Sequence, residues 1–480
     1  MKISRSTFCF ALFLLLSCCK PLTDCNKLIS DLREKIDSGY FDKAILLADT
    51  IKANCGDDKN LIMETDSLLQ ISERIKLDFS LSEEQFLAKI TSYKVPVSDA
   101  ILAEWEKKGW LEWRIINGEK MYFNRAASNL LLLKTFYEDK ENLNSENASD
   151  SGMIQRLNHT EQVIMESGNK NNPVVPIKMV ITYTITVNPD AVPAGEKIKC
   201  WMPWPKENHI RQQQVEFLDA SDNSYVISPD SAIHRSIYME GLSEKGIPAV
   251  FSASFSYQSA ALYFNLSELK ILPYNKNSEL YKKYTSEQLP QVCFTDNIRH
   301  LADEITSPDD DPVTIVRKIY LWIKDNIPWT GAVEYSTIKN IPEYVYLHRR
   351  GDCGMQTFFF MSMLRYKGIP VRWQSGWKVP PGYKNLHDWC EIYFEGPGWV
   401  PADISYDLQQ SEYTALKEFF ISGIDSYRLI VNDGVAGSLY PPKQYMRSEP
   451  FDFQRGEVEW RGGNLYFDKW DYEMKIEYIN

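Results

Sequence analysis

Apolar residues recur at helical spacing near the N-terminus, at Leu28, Leu32 and Ile36 and again at Ala44, Leu47 and Ile51. That period predicts a helical hairpin plus a third helix over residues 19–80, with the first turn at Asp37-Ser38-Gly39-Tyr40. From residue 174 the period shortens to two. Ile181, Tyr183, Ile185 and Val187 alternate with Thr182, Thr184 and Thr186, and Phe251, Ala253, Phe255 and Tyr257 alternate with serines. These are half-buried antiparallel strands. With Ile198, Cys200 and Met202 between them, residues 174–268 are expected to form a β-sandwich. Helical spacing returns at Pro312, with Asp311 as cap and Ile315, Ile319, Trp322 and Ile323 as the apolar face, and stops before Pro328. Thr357 to Tyr366 is apolar nearly all the way round and ends before Gly368, the pattern of a buried helix. His387 to Phe394 then reads as a strand and Glu395-Gly396-Pro397-Gly398 as a turn. The fold class is therefore α+β: a core over residues 285–435 built on a central helix and an antiparallel sheet, then a C-terminal β extension over 436–480.

Residues 81–137 read as two short helices and a hairpin, since Asn117-Gly118 lies between alternating apolar positions and suits a type I′ turn. That order is winged-helix-like. Residues 138–173 are rich in Asn, Ser, Glu and Asp and read as a polar linker. A chain of 480 residues accommodates this many parts at about 100 to 200 residues per domain. Its 53 Lys and Arg against 65 Asp and Glu leave a net charge of −12, which offers nothing to a phosphate backbone. Nucleic acid is not an expected partner.

The chain opens with a short basic segment, Met1 to Arg5, and an apolar run from Phe8 to Leu16 that is too short to span a bilayer. Residues 1–18 read as a secretion signal. Leu15-Leu16-Ser17-Cys18 resembles a bacterial lipobox, which makes Cys18 the expected lipidation site. It places the mature protein outside the cytoplasm, outer-membrane, periplasmic or surface-facing, with the N-terminal lipid as its membrane contact. The nine cysteines show no metal-ligand spacing, and no metal site is expected. Cys25 opens the first helix and Cys55 closes the second, so an antiparallel pair brings both to one end, as a disulfide or as two free thiols.

No GxxxxGK[ST], HExxH, GxSxG or GxGxxG occurs. The informative stretch is Gly351-Asp352-Cys353-Gly354-Met355-Gln356, directly before the buried helix. There Cys353 meets unpaired backbone N–H groups that favour the thiolate and can also donate to an oxyanion. Gly354 at the same helix end is an expected lining residue. His387 is the candidate base and Asp403 the carboxylate that would orient it. Strand alternation makes that conditional: Asp403 faces His387 only if the intervening turn has an odd number of residues or a bulge, and such an irregularity is expected. Trp389, two residues after His387 and on its face, is expected to shield the site. His348, five residues before Cys353, is a rival base with no strand to hold it opposite the sulfur; His159, His209, His234 and His300 are expected to be structural or solvated.

G-D-C-G at Gly351, G-I-P-V-R at Gly368, H-D-W-C-E at His387 and G-W-V-P-A-D at Gly398 together resemble the transglutaminase-like superfamily of papain-fold thiol enzymes. The resemblance covers roughly residues 285–435, and the preceding sandwich with Trp201-Met-Pro-Trp-Pro205 is similar to domains that precede such cores. It implies Cys353 as nucleophile, His387 as base and Asp403 as orienting acid, with Trp329 near the oxyanion position. Asp403-Ile404 departs from the D-P that often follows the acid. The function implied is cleavage of an amide bond in a protein or peptide through a thioester, without a cofactor. Transamidation of protein glutamine by the same triad and a non-catalytic glycan- or protein-binding surface protein are the alternatives. Oligomeric state is not legible.

Overall fold

The computed structural model describes residues 24–138, 151–168 and 170–479. The expected signal over 1–18, with Cys18, lies outside them. The described residues form two compact units, one from residues 24–77 with 114–121 and the other from the described residues of 78–113 with 122–479.

In the first unit α1 (Cys25–Asp37) and α2 (Phe41–Asn54) form the expected hairpin, followed by α3 (Lys59–Asp78). Asp24 caps α1 by accepting the Lys27 N–H at 3.1 Å. Leu32, Ile36, Ala44, Ala48 and Ile51 are buried between the helices. Gly39 closes the turn at φ 78°, and a Cβ there would lie 2.0 Å from the Ile115 carbonyl oxygen, so no side chain fits. Cys25 and Cys55 are joined as a disulfide.

Two short helices, α4 (Glu83–Ser92) and α5 (Asp99–Lys107), lead into the hairpin β1 (Trp113–Ile116) and β2 (Glu119–Tyr122), then α6 (Ala126–Glu138). Asn117 and Gly118 both have positive φ, 51° and 97°, as a type I′ turn requires. The linker reading of 138–173 needs correction. Ser151–Ser167 is a helix, α7, and residues 139–150 lie outside the described set. Only a narrow stripe of α7 is buried, with Val163 against Ala261, Tyr263 and Phe419, so its composition stays polar although it packs. On the same helix His159 is buried and its Nε2 accepts the Ser426 N–H at 3.2 Å.

The sandwich begins with β3 (Val174–Val187), β4 (Lys197–Pro203), β5 (Gln212–Ala220), β6 (Val226–Ile227), β7 (Ser236–Leu242) and β8 (Ala249–Tyr263). The core follows with α8 (Glu279–Thr285), α9 (Asp296–Ile305), α10 (Pro312–Asn326), α11 (Ile341–His348) and α12 (Cys353–Tyr366). Asp311 caps α10 through the Val313 and Thr314 N–H groups. The core sheet is antiparallel in the order β11-β10-β9-β13, from β9 (Val371–Lys378), β10 (Asn385–Phe394), β11 (Gly398–Ala402) and β13 (Arg428–Asn432); the short β12 (Gly423–Ile424) pairs with β8. Every α12 residue from Gly354 to Arg365 is buried, as its all-round apolar pattern demands.

The C-terminal residues are not a separate extension. β14 (Glu457–Trp460), β15 (Gly463–Leu465) and β16 (Trp470–Ile479) complete the sandwich: β16 pairs with β3 along its whole length and β14 pairs with β4. One sheet is β12-β8-β3-β16 with β5 beside β8, the other β15-β14-β4-β7-β6. Met474 and Trp470 enter the same core as Ile181, Tyr183, Phe255 and Met239. Pairing partners nearly 300 residues apart leave no local pattern, which is why the sequence suggested β structure over 436–480 but not its partner.

Candidate active site

Cys353 is the first residue of α12, and Asp352 caps that helix by accepting the Met355 N–H at 3.0 Å and the Tyr335 hydroxyl. Cys353 Sγ donates to Asp388 Oδ2 at 3.2 Å. Gly354 permits this approach, because a Cβ there would lie 2.2 Å from the Tyr335 hydroxyl oxygen and 2.7 Å from Asp388 Oδ2. The sulfur opens onto a cleft of about 390 Å³ lined by Asp352, Asp388, Asp452, Gln454, Trp329 and Tyr335 among others. Trp329, in a parallel bridge with Gly351 and 43% exposed, stands at this cleft.

On β10 alternate side chains point to opposite faces. Cys390 is paired with Trp373, whose ring stacks 4.1 Å from Phe358 of α12, so Cys390 and Asp388 share the α12 side. His387 and Trp389 share the other. The turn between β10 and β11 contains three residues, since Phe394 pairs with Gly398. This odd count carries Asp403, just past the Cys390 and Ala402 pair, to the His387 face.

There His387 Nε2 lies 2.7 Å from Asp403 Oδ2. The same oxygen accepts from Arg428 Nη1 at 2.8 Å, while Ser405 donates its N–H and hydroxyl to Oδ1. Arg428 also donates to Asp425 Oδ2 through Nε and Nη2. Burial opposes ionisation of Asp403, but His387 and Arg428 overcome it and hold the carboxyl far below its usual range. Burial lowers the His387 pKa, with Asp403 acting against it. The ring is therefore neutral near pH 7, and the pairing through Nε2 leaves Nδ1 without a hydrogen-bond partner among the described residues. Trp389 is fully buried with its Nε1 on Gln374 Oε1 at 2.6 Å, so it packs beside His387 and is absent from the cleft lining.

The structure thus brings together His387 and Asp403, and sets Cys353 against the strand position next to His387. Among the described residues no hydrogen bond joins Cys353 to His387. The expected thiolate is also corrected: burial first, then Asp388 and Asp352, push the Cys353 thiol well above its usual range. A helix end is worth about 0.3–2 kcal/mol to an anion, which buried carboxyl groups at contact distance outweigh. His348 is elsewhere, its ring 4.2 Å from Tyr344. Several site residues escaped the sequence reading, Arg428 and Tyr335 among them. Asp388 sits inside H-D-W-C-E, where alternation alone could have flagged it as the residue facing α12; Asp452 and Gln454 come from a loop after the core and carried no signal.

Residues 299–404 match the family model of the transglutaminase-like superfamily. Cys353, His387 and Asp403 lie within the matched residues. The chain is similar to the uncharacterized protein YebA of Bacillus subtilis (strain 168), 28% identical over 214 residues, covering 40% of this chain and 27% of YebA. It thus spans about a quarter of that relative's length. Similar solved structures include a candidate cysteine protease from Cytophaga hutchinsonii, at 16% identity and TM-score 0.42 over 64% of this chain and 91% of that one. Another is the periplasmic domain of TgpA from Pseudomonas aeruginosa, at 15% identity and TM-score 0.27 over 51% of this chain and 91% of that one.

Proposed function

We propose that the protein is a thiol enzyme that cleaves amide bonds in proteins or peptides, with Cys353 as nucleophile, His387 as base and acid, and Asp403 as the group that orients it. The observation that carries this reading is a cleft-lining cysteine at a helix N-terminus, hydrogen-bonded to the residue that adjoins an imidazole held by a buried carboxylate. In the reaction Sγ attacks the substrate carbonyl carbon and its proton passes to His387 Nδ1; the tetrahedral oxyanion is met by backbone N–H groups at the start of α12. The C–N bond then breaks, the amine departs with the proton from His387, and water attacks the thioester to release the acid and restore the thiol. Because His387 lies on the face of β10 opposite α12, the working contact between Sγ and Nδ1 requires the strand around His387 to rearrange as well as release of the sulfur from Asp388.

The same proposal places the protein outside the cytoplasm. The basic and apolar opening before Leu15-Leu16-Ser17-Cys18 supports export with Cys18 as the acylated anchor. The Cys25–Cys55 disulfide supports it independently, since such bonds persist in oxidising compartments.

The test is digestion of a diverse peptide library by the full mature chain, read by mass spectrometry. New termini are expected with the native chain, none with Cys353→Ala, and about 10²–10⁴-fold slower cleavage with His387→Ala. Cleavage that survives Cys353→Ala, or no cleavage of any library member, overturns the reading.

A further inference from the structure

We infer that Asp388 is a positioning residue that holds Cys353 as a protonated thiol in the resting protein. The inference rests on the reading of Cys353 as the nucleophile. The geometry is specific. Asp388 Oδ2 accepts from Sγ at 3.2 Å, while Oδ1 accepts from Gln454 Nε2 at 2.8 Å. Gln454 Nε2 is itself fixed by the carbonyls of Gly376 and His387 at 3.1 and 3.0 Å, so the carboxyl is held in one orientation. Asp388 is 4% exposed, and no Lys, Arg or His among the described residues lies within ion-pair distance of it.

The groups around Asp388 and the sulfur come from every neighbouring element. Asp352 precedes α12 and is paired with the Tyr335 hydroxyl, Ser375 of β9 donates to Asp452 Oδ1 at 2.6 Å, and Asp452 and Gln454 belong to one loop. Arg125 and Arg455 stand further along the cleft. Two carboxyl groups, Asp388 and Asp352, thus act on the sulfur and a third, Asp452, stands behind Asp388, so removing the thiol proton would add a negative charge to that group. Burial and the neighbouring Asp452 push the Asp388 carboxyl well above its usual range, in keeping with a site that resists further negative charge. Neither the catalytic steps nor the packing of β10 requires an acid here: an apolar residue at 388 would fill the same face.

The test is the pH profile of iodoacetamide alkylation at Cys353, located by peptide mass spectrometry, in the full native chain and in Asp388→Asn and Asp388→Ala. For the native chain the profile should titrate above the value of about 8.5 typical of a free thiol. In both variants it should move down by about one unit or more, with about tenfold faster alkylation at pH 7.5. Asp452→Asn should move it in the same direction by less, and serves if the Asp388 variants do not fold. A native profile at or below that of a free thiol overturns the inference, as does an unchanged profile in the variants. A merely structural role would lower the unfolding midpoint without moving the profile. The library digestion separates the two failures, because cleavage lost with Cys353→Ala stands whatever the alkylation profile shows.

Discussion

His387 Nε2 lies 2.7 Å from Asp403 Oδ2, and the carboxylate that holds the ring is itself held by Arg428 at 2.8 Å. Arg428 and Asp403 are 0% exposed, and Asp425 shares the guanidinium. Removing the cation would leave two buried carboxylates without their main partner, a loss of about 3–5 kcal/mol in typical cases. Arg428→Met is therefore expected to unfold at markedly lower urea, followed by tryptophan fluorescence. A midpoint equal to that of the native chain would show the pair to be energetically neutral.

Gly354→Ala places a methyl group in the contacts of Tyr335 and Asp388, 2.2 and 2.7 Å from their oxygens. Overpacking of this kind costs about 1–3 kcal/mol. Because the clash is with the carboxyl that binds Sγ, peptide cleavage should fall along with stability. A crystal structure of the variant would show Tyr335 or Asp388 displaced.

Glu449 accepts the N–H groups of Gln454 and Arg455, and burial raises its pKa to about 7 despite Arg455. The folded chain therefore keeps the proton over a range where the unfolded chain has lost it. Its contribution is most favourable at and below about pH 4.5 and is lost as pH rises to about 7. Glu449→Gln keeps the acceptor oxygen and removes this dependence, so its stability relative to the native chain should increase between pH 5 and 8. Denaturant midpoints at the two pH values check it; equal differences at both would refute the assignment.

Truncation after Tyr466 removes β16 and with it Trp470 and Met474, 2% and 1% exposed. Each such side chain is worth about 1.5–3 kcal/mol when buried, and the edge of β3 away from β8 would be left unpaired from Lys178 to Val187. The truncated chain should lose cooperative thermal unfolding and become sensitive to limited proteolysis in the sandwich.

Much of the fold was legible because it is periodic. The alternation at Ile181 to Val187 and the all-round apolar run after Cys353 are local consequences of strand and helix geometry, and both elements occur where those patterns lie. The parity argument for Asp403 was legible too, as a condition: an odd turn was needed, and Phe394 pairs with Gly398 across three residues. Residues 151–167 were misread since a helix with one buried stripe keeps the composition of a linker.

The order and spacing of the amino acids determined that a cysteine would start a buried helix, and that a histidine and an aspartate could share one side of a sheet. Which charges collect at the sulfur was decided by tertiary structure alone. Asp352 and Asp388 reach it from a helix cap and a strand, with Asp452 of a distant loop behind Asp388, and a hydrogen bond between such residues depends on three-dimensional approach, which no period along the chain encodes.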